Sequence, residues 1–276
     1  MTVASIANPA VKLKPQVYIA KGYSPWYYKN WKDASHIVTT DESVSGKATV
    51  TCDGNIINMS QMFYCTHITS LDVSNFDTSN VNNMSCVFEE CHNITSLDLS
   101  SFNTSKVTNM EWMFSNCCNI TSINLSNFDT SNVTNMLSMF GDCDILTKLD
   151  LSSFDTSNVK DMSCMFYGCE NLTTLDLSSF NTSKVRNMDS MFFYCSKLTS
   201  VDLSNFDTSK VIDMSTMFYN CSNLTTIKGI IDMKSCKDCR DMFKKCNKLT
   251  DVKIKNPPDD FENKTGLSKS QYTIVS

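Results

Sequence analysis

The sequence predicts a repeat solenoid: a right-handed coil whose turns each give one short strand to a single parallel sheet and a short helical or 3₁₀ turn to the opposite wall. Three observations predict it. Leu71, Leu97, Ile123, Leu149, Leu175, Val201 and Ile227 recur at a constant 26 residues, and a fixed period of roughly 20–50 residues marks stacked units. Phe76, Phe102, Phe128, Phe154, Phe180 and Phe206 keep the same interval five residues further on. So do Cys65, Cys91, Cys117, Cys143, Cys169, Cys195 and Cys221. Two steps shorten to 25, from Phe63 to Phe88 and from Cys221 to Cys246. They fall at the ends, where capping units are atypical.

Each segment of the repeat has a physical reading. Residues 94–99, I-T-S-L-D-L, alternate apolar and polar side chains, the pattern of a strand buried on one face. The block V-T-N-M-E-W-M-F (107–114) places apolar residues at i, i+3, i+6 and i+7, which suits a helical or 3₁₀ turn with Ser105 or Thr104 capping its start. A lone unit buries only one side of each column, so stability is a property of neighbouring units in contact.

The pattern C-x-x-L-x-x-L-x-L-x-x-F followed by V-x-N-M-x-x-M-F resembles the BspA-like leucine-rich repeats, in the branch written L-D-L-S-x-F-D-T-S-x-V-x-N-M-x-x-M-F. The resemblance runs from about Met59 to Ile254. It implies an α/β-type leucine-rich repeat solenoid over 56–254, between an N-terminal segment (1–55) and a C-terminal cap and tail (255–276). Family members are mostly surface proteins of bacteria, protists and bacteriophages, described as adhesive or host-interacting. The resemblance therefore implies a non-enzymatic protein, with no cofactor and no catalytic residue to carry over. The stretch V-K-I-K-N-P-P-D-D-F-E (252–262) looks like a C-terminal cap of such proteins.

Composition narrows the partners. A net charge of −5 and the lack of a Lys/Arg cluster argue against nucleic acid. No run of 18 apolar residues is present, so no membrane-spanning helix is expected. The start MTVASIANPAVKLKPQ lacks a basic stretch followed by an apolar one, so it does not read as a secretory signal. Fourteen cysteines would suit disulfides in a secreted chain, but most stand one per coil. Parallel Cβ vectors in register hold stacked cysteines too far apart, so the column reads as buried thiols in a reducing compartment.

Several constellations invite chemistry and lose it to the repeat. Cys236 and Cys239, with Cys246 beyond, resemble half a zinc site, yet they fall in the valine, methionine and cysteine columns. His67 and His92 lie beside Cys65 and Cys91, but no third group orients a nucleophilic pair. Fourteen of the sixteen methionines occupy two columns, beginning at Met59 and Met62, and read as core. The threonines Thr78, Thr104, Thr130, Thr156, Thr182 and Thr208 recur in a segment that reads as a turn.

The candidate binding face is a polar column: Asp72, Asp98, Asn124, Asp150, Asp176 and Asp202, with Lys228 at its end. It points out from the strands between Ser70, Ser96, Ser122 and Ser200 on one side and Ser74, Ser100 and Ser126 on the other. It reads either as a solvated face or as a site for cations or a basic partner. A second ladder alternates Asp77/Asn80, Asn103/Lys106, Asp129/Asn132, Asp155/Asn158 and Asn181/Lys184.

At the ends, Tyr18, Tyr23, Trp26, Tyr27, Tyr28 and Trp31 read as a cap over the first coil or as an attachment surface. Pro257 and Pro258 should block further strand addition. The expectation is a surface-displayed repeat protein recognising host-surface glycans or proteins, as a phage virion accessory protein joined to virion structural proteins through 1–55. A secreted bacterial adhesin and a ligand-free spacer are the alternatives.

Overall fold

The computed structural model describes residues 36–40, 47–52, 56–64, 69–74 and 76–276. The strands are β1 (His36–Thr40), β2 (Lys47–Cys52), β3 (Ser70–Asp72), β4 (Ser96–Asp98), β5 (Ser122–Asn124), β6 (Ser200–Asp202), β7 (Thr226–Lys228), β8 (Ile230–Asp232), β9 (Val252–Lys255) and β10 (Tyr272–Ile274). Helix α1 spans Phe261–Thr265. From β3 onward the paired strands are parallel, and β4-β5 and β6-β7 join corresponding residues of successive coils, Leu97 with Ile123 and Val201 with Ile227. The chain is a repeat solenoid.

The expected single sheet is instead four short ones: β1-β2-β3, β4-β5, β6-β7 and β8-β9-β10. Three of the breaks coincide with like charges in the outward column. β4-β5 sets Asp98 against Asn124, whose amide donates to the carboxylate at 2.9 Å. β6-β7 sets Asp202 against Lys228 at 3.6 Å. All three steps that stack Asp on Asp (72 to 98, 150 to 176 and 176 to 202) fall where no strand pairing forms. Like charges directly opposite one another weaken a strand pair. The step from Asn124 to Asp150 is also unpaired, and charge does not explain it.

The uninterrupted pairing runs elsewhere. Asn58, Asn83, Asn109, Asn135, Asp161, Asn187, Asp213 and Asp238 form a continuous line of parallel bridges. Each stands at the asparagine of V-x-N-M and opens the opposite wall. That wall is not helical, as the spacing had suggested. Alternate amides donate across to the next coil: Met110 to Asn135 (3.0 Å), Trp112 to Leu137 (2.8 Å), Phe114 to Met139 (2.9 Å) and Asn116 to Gly141 (2.8 Å). The amides between them close tight turns within the coil, Met113 to Met110 and Ser115 to Trp112. Two residues per coil take the left-handed region to allow this, for example Trp112 (φ 52°) and Asn116 (φ 59°). Left-handed backbone costs a residue with a Cβ roughly 1–2 kcal/mol, so the inter-coil bonds must outweigh that penalty in coil after coil.

The core is stacked columns. Phe63, Phe88, Phe114, Phe140, Phe166, Phe192, Phe218 and Phe243 form one face-to-face ladder, with centroids 5.2–5.9 Å apart. Met110, Met113, Met136, Met139, Met162 and Met165 are fully buried beside it, so the methionines are core.

The threonines are buried too, and act as staples rather than helix caps. Thr156 Oγ1 donates to the Asn181 carbonyl at 3.0 Å and accepts the Asn181 amide at 2.8 Å. Thr104 does the same to Asp129, at 2.9 and 2.8 Å.

The ends are closed. β2 pairs in parallel with β3 and antiparallel with β1. At the other end Pro257 and Pro258 follow β9, yet strand addition continues, because the tail returns as β10 and pairs in parallel with β9. The prolines end the strand they follow, while the pairing edge stays open to a segment arriving from further along. α1 covers the last turn wall, where the Thr265 carbonyl accepts the Phe243 amide at 2.8 Å. Gly229, between β7 and β8, has φ 92°, and a Cβ there would sit 2.6 Å from the Leu203 carbonyl.

Replacing Thr156 by Val keeps the shape and leaves the part-buried amide and carbonyl of Asn181 without their partner. Chemical denaturation should show a loss of about 2 kcal/mol, whereas Ser157→Ala, whose contribution to its turn is a backbone amide, should stay within about 0.5 kcal/mol.

Candidate functional site

The polar column lies on the outer side of the strands. Asp72, Asp98, Asn124, Asp150, Asp176 and Asp202 are all exposed. Each also does structural work. Its Oδ1 accepts the amide of the serine two residues on: Asp98 from Ser100 at 3.1 Å, Asn124 from Ser126 at 3.2 Å, Asp150 from Ser152 at 3.0 Å, Asp176 from Ser178 at 2.9 Å. This side-chain turn bends the chain out of the strand.

The electrostatics follow from that geometry. At Asp72, Asp150 and Asp176 the serine amide, with its hydroxyl second, holds the carboxyl below the usual carboxylate range. At Asp98 and Asp202 the serine hydroxyl leads and the amide follows. Asp176 also feels Asp150 and Asp202, which push it back up. The column therefore stays ionised at neutral pH, with one oxygen of each carboxylate committed to a turn.

The same device recurs at two more corners. Asp77, Asn103, Asp129, Asp155, Asn181 and Asp207 accept the amides of Ser79, Ser105, Ser131, Ser157, Ser183 and Ser209 at 2.8–3.1 Å. The bridging asparagines do likewise, as Asn109 does with the Glu111 amide at 3.1 Å. The repeated D/N-x-S pattern carried this signal, because Asp and Asn followed two residues later by an amide are turn formers. The alternating ladder also resolves: Lys106 Nζ donates to Asn80 at 2.7 Å and Lys184 Nζ to Asn158 at 2.6 Å, each reaching back one coil.

Other sequence candidates separate. Tyr18, Tyr23, Trp26, Tyr27, Tyr28 and Trp31 lie outside the described residues, as do Cys65 and His67. His92 faces its neighbouring coil, with Nδ1 2.9 Å from the Asn116 carbonyl and 3.7 Å from Cys118 Sγ. Cys91 is buried and donates to the Phe63 carbonyl at 3.1 Å, so His92 and Cys91 do not form a pair. Cys236 donates to the Asp238 carbonyl at 3.1 Å and Cys246 to the Phe218 carbonyl at 2.8 Å. Among the described residues no group of three or more His, Cys, Asp or Glu is placed to hold a metal ion, and no helix is long and apolar enough to cross a membrane.

One surface feature escaped sequence reasoning. Tyr167, Phe193 and Tyr219 stack on successive coils with centroids 4.8 and 4.9 Å apart. Their column holds Glu89, Ser115, Gly141 and Lys244 in other coils, so the period gave no warning of it.

The family described as "Mycoplasma protein of unknown function, DUF285" matches residues 33–148 and 145–256, most of the chain. The chain belongs to this family. Its repeat is of the BspA-like leucine-rich kind. No curated protein matches it. Among solved structures it is similar to a leucine-rich repeat protein from Bacteroides ovatus, at 13% identity over 87% of this chain and 98% of that one, with a TM-score of 0.25.

In this DUF285 chain Cys117, Cys143, Cys169, Cys195, Cys221 and Cys246 of the column are free thiols. The column is more than apolar filling, because each thiol donates to a phenylalanine carbonyl of the preceding coil, Cys117 to Phe88 at 3.1 Å and Cys195 to Phe166 at 3.1 Å. Burial pushes the thiols up, Cys169 to about 12, with Cys117, Cys143 and Cys195 well above the ordinary value.

Three measurements follow. Alkylation of the native chain at mildly alkaline pH should leave Cys91, Cys117, Cys143, Cys169, Cys195 and Cys221 unmodified, while partly exposed Cys118, Cys164 and Cys236 label first. Asp176→Asn keeps the turn acceptor, as Asn124 does naturally, and removes the stacked repulsion. Its Tm should rise at low ionic strength, with the gain fading in high salt, whereas Asp176→Ala should lower Tm at any ionic strength. Because Asp72, Asp98, Asp150, Asp176 and Asp202 have depressed folded pKa values, their stabilisation is present above the unfolded pKa of about 3.9. It is lost as pH falls through the folded values, so acid unfolding should begin below about pH 4.

Proposed function

We propose that this chain is a non-enzymatic recognition scaffold, displayed on a surface, whose strand-side face engages host-surface proteins or glycans. The observation that carries the reading is the outward column Asp72, Asp98, Asp150, Asp176 and Asp202. Each carboxylate is exposed and ionised, and its aim is fixed by the turn it accepts. A rigid row of acceptors about 5 Å apart suits hydroxyl or ammonium donors presented in series. Solenoids commonly bind through such an extended surface, and leucine-rich repeat solenoids are as a rule interaction scaffolds.

Display on a phage particle, with residues 1–55 joined to virion structural proteins through Tyr18, Tyr23, Trp26, Tyr27, Tyr28 and Trp31, is the finer form of the proposal. Display on a bacterial cell as an adhesin uses the same face. A ligand-free spacer is the second reading, favoured by one fact: every aspartate of the column is already employed in a turn.

The test is a variant with Asp98, Asp150, Asp176 and Asp202 all changed to Asn, which removes charge and keeps the turns. The wild-type chain should bind host cell surfaces and the variant should lose most of that binding. Equal binding by both would remove the strand face from the proposal, and no binding by the wild type would leave the spacer.

A further inference from the structure

The corner beside the cysteine column carries a feature the repeat does not need. Tyr167, Phe193, Tyr194 and Tyr219 are half-buried there, immediately before Cys169, Cys195 and Cys221. Tyr194 leans on Phe193 at 4.9 Å and on Tyr219 at 6.0 Å, completing a four-ring patch with the stacked three. Ring faces are largely occupied within the ladder, so edges and hydroxyls are what solvent reaches.

Charge changes sign across this patch. Two coils toward the N-terminus the corresponding positions hold Asp142 and Asp144, and one coil away stands Glu170. Two coils toward the C-terminus the position of Asp142 holds Lys245, with Lys244 before it, and Lys248 follows Asn247, which stands at the position of Asp144. The coil of Phe193 and Tyr194 lies midway. Among the described residues Asp142, Asp144 and Glu170 take part in none of the salt bridges, which join Lys228 to Asp202, Arg240 to Asp238, Lys244 to Asp241 and Lys269 to Glu262. Burial holds the Asp142 carboxyl above its ordinary range, and Asp144 and Glu170 add repulsion. On the other side Lys245 Nζ lies 5.1 Å over the Tyr219 ring, and Lys248 donates to Asn223 at 2.7 Å.

A strip with an aromatic centre, carboxylates toward one end and lysines toward the other is complementary to itself when turned end for end. We propose that this edge is the interface of a homodimer. Two copies lie antiparallel about a two-fold axis at the coil of Phe193, ladder against ladder, with Asp142 and Asp144 of each facing Lys245 and Lys248 of the other. A two-fold interface uses the same patch on both subunits. An acidic or a basic foreign partner would satisfy only one half of the strip, whereas a second copy satisfies both. The aromatic residues supply the buried anchors, and the charges set direction and register. The interface leaves the strand-side face clear, so it stands or falls independently of the recognition role.

Sedimentation equilibrium on the full chain tests this. The wild type should show a dimer whose dissociation rises with salt. Lys245→Glu/Lys248→Glu, and separately Asp142→Asn/Asp144→Lys/Glu170→Lys, should each self-associate at least about tenfold more weakly. Asn is chosen at Asp142 because it tolerates the left-handed φ of 54° found there. Mixed in equal amounts, the two variants should recover the dimer, since one now carries carboxylates at both ends and the other removes them at one end and adds lysines. Circular dichroism first confirms that each variant is folded, so that a failure to recover reports on the interface alone. A wild type that stays monomeric at the highest attainable concentration, a variant that dimerises as the wild type does, or a mixture that fails to recover would each overturn the interface.

Discussion

The whole rod depends on buried backbone groups finding partners in the next coil. A 26-residue loop of chain cannot satisfy its own amides and carbonyls without a helix, and the described residues of the repeats form none. The alternate amides of the turn wall, the threonine hydroxyls and the cysteine thiols all reach to a neighbouring coil instead. An unpaired buried polar group costs about 1–3 kcal/mol. A displaced coil would strand several at once, so the stacking register is enforced at many points. The apolar ladders then add contacts that exist only in that register.

Left-handed backbone on the turn wall is the local cost of this arrangement. It falls on residues that are poor at it, Trp112 and Thr216 among them, and on a glycine at only one place in the wall, Gly168. An array in which each coil is clamped on both sides tolerates such strain, because no coil can relax without breaking bonds to two neighbours. The acidic column shows the same balance in electrostatic form. It is kept although it interrupts strand pairing between Asp150, Asp176 and Asp202, since each aspartate is also the acceptor that turns the chain.

Much of this was legible in the residues. The period gave the solenoid, the columns gave the core, and the alternation around Leu97 gave the strands and their outward face. The turn wall was not legible, because its i, i+3, i+6 and i+7 spacing is shared by a helical turn and by a ladder of left- and right-handed residues. Composition does not separate them when the left-handed residues are Trp112 and Ser138 rather than glycine. The interrupted sheet depended on comparing Asp98–Asn124 with Asp150–Asp176 across coils. The aromatic strip was hidden for the opposite reason: it breaks the period, so a search for recurring columns passed over Tyr167, Phe193 and Tyr219.

The most direct measurement of the central claim is the scalar coupling that passes through a hydrogen bond, between an amide nitrogen and the carbonyl carbon that accepts from it. In the isotopically labelled chain, Trp112 nitrogen should couple to the Leu137 carbonyl carbon and Phe114 nitrogen to that of Met139, each 25 residues along. Couplings from these amides to carbonyls four residues earlier would mean that the wall is helical and that the coils are not held together in this way.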